Sequence, residues 1–350
     1  MYDARVSRPT CVDLFAGAGG ATQGLRAAGF DVVGAVELDH DAAATYRMNH
    51  PETRLWQSDI RAIAAATMRD DLGIRAGTLA LLKACPPCQG FSSLARNGDS
   101  IANWDRNDLV LDVIRFVRSF RPASVLVENV PGLERDRRLG QLCDTLATLG
   151  YVVSTYKVDA ATIGVPQRRR RLILLAIKGR RNVMPVDSNA LLGERMVSRP
   201  RTAREALAQL TREGAAGDPL ARHRQHSPEV LARIAAVPVG GNRFDLPQQH
   251  RLACHVAISG RSATASYGRV KLDEPAPTMT TRCVTPACGS FIHPIENRGL
   301  TLREAAAFQT FPSTYQFEGD LGSVERQIGN AVPVLMATVL GEAVMRLLQK

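Results

Sequence analysis

The first half of this chain alternates short apolar runs with stretches of helical spacing, and that order constrains the fold more than any other feature. Residues 10–14, 32–37, 79–84 and 124–128 suit buried strands, and 21–28, 41–48, 109–119 and 139–149 suit the helices between them. Parallel neighbours in a sheet need a crossover, usually a helix, so the alternation predicts a parallel sheet covered on both faces. A further strand is expected before Asp59, and 151–158 and 171–177 predict two more near the sheet edge. The expected class is therefore α/β, a doubly wound and mostly parallel sheet.

The texture changes after Lys178. Pro, Arg, Gly and Gln become frequent and periodicity weakens, which separates a first domain over 1–178 from a smaller irregular one over 179–297. Helical spacing returns in 298–350, where 332–348 reads as an amphipathic helix able to pack back on the first domain. Hydrophobic residues make up 45% of the 350, enough for a large core and too many for disorder. No apolar run reaches the roughly 18 residues of a membrane span, and 1–8 lack a secretory signal core. Seven cysteines, an odd count without dense spacing, fit a reducing cytoplasm.

A net charge of +10 favours a polyanionic partner, although a basic protein that is merely soluble would share it. The distribution says more. Residues 178–251 hold 13 Lys/Arg against 7 Asp/Glu, so more than half of the excess sits in under a quarter of the chain.

Three motifs carry chemistry. In the first, DLFAGAGG at 13–20 follows a strand and opens a helix. Gly17, Ala18, Gly19 and Gly20 would let a ligand approach the backbone, and the helix N-terminus offers free N–H groups. Phe15 could cover an adenine or ribose. Glu37, beside Leu38 at the end of the next strand, could hold two ribose hydroxyls, and Asp59, beside Ile60, could accept from an adenine amino group. A structural turn or a dinucleotide site reads nearly as well, although Gly17-x-Gly19-Gly20 lacks the dinucleotide spacing.

The second motif, ACPPCQGFS at 84–92, follows the fourth expected strand. Cys85 and Cys88 could be a redox pair or half a zinc site. Alternatively Cys88 alone is a nucleophile in a loop stiffened by Pro86 and Pro87. The single nucleophile is favoured, because the other close pair, Cys283 and Cys288, lies in a different part of the chain. The third motif is the run QRRRR at 167–171. If it is extended, Gln167, Arg169 and Arg171 share one face and Arg168 and Arg170 the other. The competing reading is a solvated basic run.

These motifs, together with ENV at 128–130, LTLREAAAFQTFP at 300–312 and GNAVP at 329–333, resemble in order the DNA cytosine-5 methyltransferase family of bacterial restriction–modification systems. The resemblance covers nearly the whole chain. It implies the S-adenosylmethionine-dependent methyltransferase fold, a catalytic and cofactor-binding domain over 1–178, a target-recognition domain over 179–297 and returning helices over 298–350. It implies Cys88 as nucleophile, Glu128 at cytosine N3 and its amino group, and Arg169 and Arg171 as the motif arginines, with Arg171 at O2. S-adenosylmethionine is the implied cofactor, with Pro87, Leu109, Asn330 and Ala331 added to the residues that hold it. No metal is implied. Double-stranded DNA is the implied partner. A restriction endonuclease acting on the same site is an expected companion, and a cytoplasmic monomer that binds no membrane the expected form.

The chain departs from the pattern in two places. Cys85 stands where the family often has Gly, and Ala331 where some relatives carry a hydroxyl. An RNA methyltransferase is the neighbouring alternative, but the Cys-Phe-Thr tripeptide of relatives acting on transfer RNA is absent. A catalytically silent DNA-binding regulator is the alternative of another class. The target carbon is buried in duplex DNA, so the nucleotide must swing out of the stack. Arg180, Arg181, Arg195, Arg199, Arg201 and Arg204 are candidates for gripping phosphates, residues 93–103 for a lid, and Trp104 to Asn107 for a helix cap.

Overall fold

The computed structural model describes residues 8–87, 101–179, 184–213, 217–221, 223–253 and 265–349, with backbone alone for 101–107 and 212–213. Cys88, most of the segment expected as a lid, Arg180 and Arg181 lie outside the described residues. The chain divides into two units that interleave along it. One comprises Met1–Asp159, Arg170–Met196 and Val334–Lys350, the other Ala160–Arg169 and Val197–Pro333. Sequence texture suggested consecutive blocks instead. Texture is local, whereas a segment's unit is set by what it packs against.

The first unit is built on strands β1 (Thr10–Leu14), β2 (Asp31–Glu37), β3 (Arg54–Gln57), β4 (Leu81–Ala84), β5 (Ser124–Asn129), β6 (Tyr151–Asp159) and β7 (Arg170–Lys178). They form one sheet in the order β3-β2-β1-β4-β5-β7-β6. The first five strands pair in parallel, and β7 runs antiparallel between β5 and β6. The expected mostly parallel sheet is found. Every residue of β4 and β5 is buried, as central strands covered on both faces require.

The helices α1 (Gly20–Ala27), α2 (His40–Asn49), α3 (Ala65–Asp71), α4 (Ile101–Phe120) and α5 (Arg137–Thr148) are the crossovers. Asp39 and Asp136 cap α2 and α5, accepting from Ala42 N and Arg138 N, both at 2.9 Å. Helix α4 starts at Ile101, so Trp104 to Asn107 lie in its body rather than at a cap, which corrects the expectation. The main core joins Val12, Leu82 and Val127 of the sheet to Met68, Phe116 and Leu142 of α3, α4 and α5.

The C-terminal helix Val334–Leu348 packs on α1, as its amphipathic pattern suggested. A Cβ on Gly24 would lie 2.3 Å from Val334 O and 2.6 Å from Ala337 Cβ, so glycine is what allows that approach. By length and composition alone, 321–348 would pass for a membrane span, but it is two helices broken at residues 331–333, and 61% of its most apolar window is buried.

The second unit has little regular structure among its described residues: four helices, at Ala203–Glu213, Pro228–Ala236, Leu302–Phe308 and Leu321–Asn330, and isolated bridges. Buried backbone carbonyls without ladder partners need other donors. Arginines supply them. Arg269, 5% exposed, donates to the carbonyls of Ile234, Val237, His293 and Glu296. Part of the basic excess therefore holds the fold.

Candidate active site

The sheet order reverses between β1 and β4: the chain winds outward from β1 to β3, then restarts on the other side with β4 and β5. In such sheets ligands bind outside the carboxyl ends of the strands at this switch point. The glycine-rich turn leaves β1, Glu37 ends β2, Asp59 follows β3, Pro86 and Pro87 follow β4, and Glu128 lies near the end of β5. Five separated motifs thus come to one edge because the strands carrying them are parallel.

At the turn, Phe15, Gly17 and Gly19 all have positive φ, at 58°, 56° and 88°. That conformation suits glycine but costs an aromatic residue roughly 1–3 kcal/mol, a strain typical of functional loops. A Cβ on Gly17 would meet no described atom within 4 Å. Its left-handed backbone favours glycine, and the open space beside it suits a ligand. Helix α1 has no side-chain cap, so its first amides remain available.

Gly17 N donates to Glu37 Oε2 at 2.7 Å, and Leu38 N and Asp39 N donate to Oε1 at 2.9 and 2.8 Å. The carboxyl is fixed beside the turn, and burial raises its pKa although these amides pull the other way. Asp59 is turned toward Arg61, whose guanidinium and backbone N–H hold its carboxyl below the usual range. Of the other expected contacts, Leu38 is 63% exposed, Ile60 is a core residue, Leu109 packs half-buried against the core, and Pro87 is half-buried.

Beneath the turn is a polar chain that sequence reasoning missed. Lys83 Nζ donates to Asp13 Oδ1 at 2.8 Å, Thr22 Oγ1 donates to Oδ2 at 2.8 Å, and Thr22 Oγ1 lies 2.9 Å from Tyr46 Oη. All four residues are buried. His50 Nε2 sits 3.3 Å from Gly19 O, and its pKa is lowered to about 4, first by burial and then by Arg26. A lysine inside the apolar run 79–84 was the available signal, because a charge in a central strand must be paired.

The second cluster follows from register. Ala84 pairs with Val127, so Cys85 falls beside Glu128. In the antiparallel pair Glu128 faces Ile173, which puts Arg171 diagonally across on the same face. Cys85 Sγ donates to Glu128 Oε2 at 2.7 Å, and Arg171 Nε forms an ion pair with Oε1 at 2.8 Å. That N–H is not aligned on Oε1, so this buried oxygen has no hydrogen-bond donor among the described residues. Asn129, also buried, donates to Pro86 O at 3.1 Å and ties the proline pair to β5.

The alternation in the arginine run is present: Gln167 and Arg169 are buried and Arg171 mostly so, whereas Arg168 and Arg170 are exposed. Arg169, however, is occupied with backbone. It donates to Met279 O at 3.0 Å, Gly329 O at 3.2 Å and Ala331 O at 2.9 Å. This is a structural clamp on three backbone carbonyls. Ala331 O also accepts from Gln309, while Asn330 is exposed. The glycine of GNAVP is explained by packing: a Cβ there would lie 2.1 Å from Thr280 O. Arg195, Arg199 and Arg204 are exposed and paired with Glu342, Glu205 and Asp273, and Arg201 donates to Gln209. Such surface pairs are weak enough to exchange for phosphate.

The family described as C-5 cytosine-specific DNA methylase matches residues 9–346. The chain belongs to that family. The methylase is 33% identical to the Type II methylase M.HgiDII of Herpetosiphon aurantiacus, over 97% of this chain and 95% of the other. It is 31% identical to the Type II methyltransferase M1.HphI of Haemophilus parahaemolyticus, over 97% and 87%. A crystal structure of a candidate DNA modification methyltransferase from an E. coli prophage superposes with a TM-score of 0.69 at 24% identity, covering 98% of this chain and all of that one. That last likeness bears on the fold alone. As a family member, the methylase is an enzyme acting at carbon 5 of cytosine in DNA.

Proposed function

We propose that this methylase is the modification enzyme of a Type II restriction–modification system, transferring a methyl group from S-adenosylmethionine to cytosine C5 within a specific duplex sequence. The observation that carries the reading is Glu128: a buried carboxylate at the sheet's switch-point edge, with one oxygen that has no aligned donor among the described residues and an arginine beside it. Family and relatives agree with it. The open space at Gly17 and the uncapped start of α1 fit the cofactor, which Phe15, the 17–20 backbone and Glu37 would hold. When bound, it supplies an electrophilic methyl group on a sulfonium.

Cytosine C5 is a poor nucleophile while the ring is aromatic. Cys88, as a thiolate, adds to C6 and turns C5 into an enamine-like carbon. Electron density then moves onto N3 and O2. Glu128, by sharing a proton, stabilises N3, and Arg171 stabilises O2. Once C5 has gained the methyl group, loss of its proton restores the ring and releases Cys88. Arg169 supports the backbone around Met279, Gly329 and Ala331 rather than touching the base.

The test is transfer of a radiolabelled methyl group to duplex DNA, with transfer RNA as the comparison acceptor and the product base identified. 5-Methylcytosine in DNA, lost in Cys88→Ala while cofactor binding persists, is the expected result. Product without 5-methylcytosine, or labelling of transfer RNA alone, overturns the reading.

A further inference from the structure

The family pattern leaves Cys85 without a role, since glycine is frequent at its position, yet its thiol is in direct contact with Glu128. The sheet shows why. Asp13 and Lys83 are register partners on β1 and β4, Cys85 lies two residues beyond Lys83 on the same face, and Glu128 is beside Cys85 on β5. Arg171 reaches Glu128 from β7. Among the described residues, the charged and titratable groups around Glu128 are thus Lys83 on β4, Cys85 just after it, Asp13 beyond them on β1, and Arg171 on β7.

The two carboxylate oxygens are treated unequally. Oε2 accepts from the thiol, while Oε1 faces Arg171 with no aligned donor among the described residues. A carboxylate held by one oxygen has its rotation fixed, which keeps the other presented to a ligand. We propose that Cys85 is a positioning residue that fixes Glu128 through Oε2 and so presents Oε1 to the extruded base. This rests on the assignment of Glu128 to cytosine N3.

Three variants separate donation from packing. Cys85→Ala and Cys85→Val remove the donor, one leaving space and the other filling it, and Cys85→Ser restores an O–H. Single-turnover methyl transfer to duplex DNA is measured from pH 5.5 to 9, about the range in which cytosine methylation can be followed without exposing the carboxylates and lysines to their unfolded pKa values. Cofactor affinity and melting temperature are measured alongside. Losing a hydrogen bond to a charged group predicts a rate lowered by about tenfold or more in Ala and Val. Their pH–rate profile should also change, because the thiol's hydrogen bond to the reacting carboxyl group has gone. Ser should recover both rate and profile, and cofactor affinity should be unchanged throughout.

Unaltered rate and profile in Ala and Val overturn the proposal, as does a Ser variant impaired as much as Ala. Glu128→Gln is run beside them. If it transfers methyl groups as fast as the wild type, the assignment of Glu128 itself fails. If it is slow and Cys85→Ala slows it no further, the thiol acts through that carboxylate.

Discussion

Removing the Lys83 charge while leaving Asp13 in place should be among the most damaging single changes available. Asp13 is fully buried and Lys83 is 3% exposed, with 2.8 Å between them. Lys83→Met keeps most of the stem and leaves the carboxylate with the neutral Thr22 hydroxyl as its remaining side-chain donor among the described residues. Breaking a buried ion pair by deleting one partner costs about 3–5 kcal/mol. For domains of 150–250 residues each kcal/mol moves the melting temperature by roughly 2–4 °C, so a fall of roughly 6–20 °C is expected in a thermal melt followed by circular dichroism. Lys83→Met combined with Asp13→Asn should recover much of that loss, because the orphaned charge goes too. A Lys83→Met protein melting within about 2 °C of the wild type, less than 1 kcal/mol on this scale, would refute the reasoning. The pH dependence has a definite sign. Burial pulls the Lys83 pKa down, but Asp13, then Cys85 and Glu128, more than offset it, so it stands above its ordinary value. Its contribution is complete below the unfolded value of about 10.4 and fades as pH rises through the raised folded one. Alkaline melts should show that loss in the wild type and not in Lys83→Met.

Three further outcomes are expected. Gly17→Ala should fold, since its Cβ meets no described atom, at a cost of roughly 1–2 kcal/mol for the left-handed backbone, yet weaken S-adenosylmethionine at least about tenfold by calorimetry if the methyl enters the ligand's space; unchanged affinity would show that the ligand lies elsewhere. Gly24→Ala should destabilise by about 1–3 kcal/mol through overpacking against backbone, read as a lower melting temperature, and a neutral result would mean that the C-terminal helix adjusts freely. His50, buried with its pKa near 4, contributes stability that is whole above about 6.5 and falls by roughly 3 kcal/mol as pH drops toward 4; His50→Gln should flatten that limb of the melting profile, and an unflattened limb would assign the loss to other groups.

Local pattern was enough for most of the first unit. Strand runs, caps such as Asp39 and Asp136, and the strand–turn–helix at 13–20 depend on neighbours a few residues away, so they are readable along the chain. The burial alternation of Gln167, Arg169 and Arg171 is of the same kind. What each of those side chains does is not. Arg169 and Arg171 share a face and a charge, yet one clamps carbonyls 110 to 162 residues away and the other meets Glu128 across a strand pair.

The amino-acid sequence alone determined the fold class, the family and the edge of the sheet at which chemistry gathers, because periodicity and motif order are properties of the chain itself. Only tertiary structure decided the partners: Lys83 with Asp13, Cys85 with Glu128, Gly24 against the C-terminal helix, and the interleaving of the two units. The physical reason is that sheet register and helix docking bring together residues that the backbone keeps far apart. A buried charge declares in sequence that it needs a partner, but not which one.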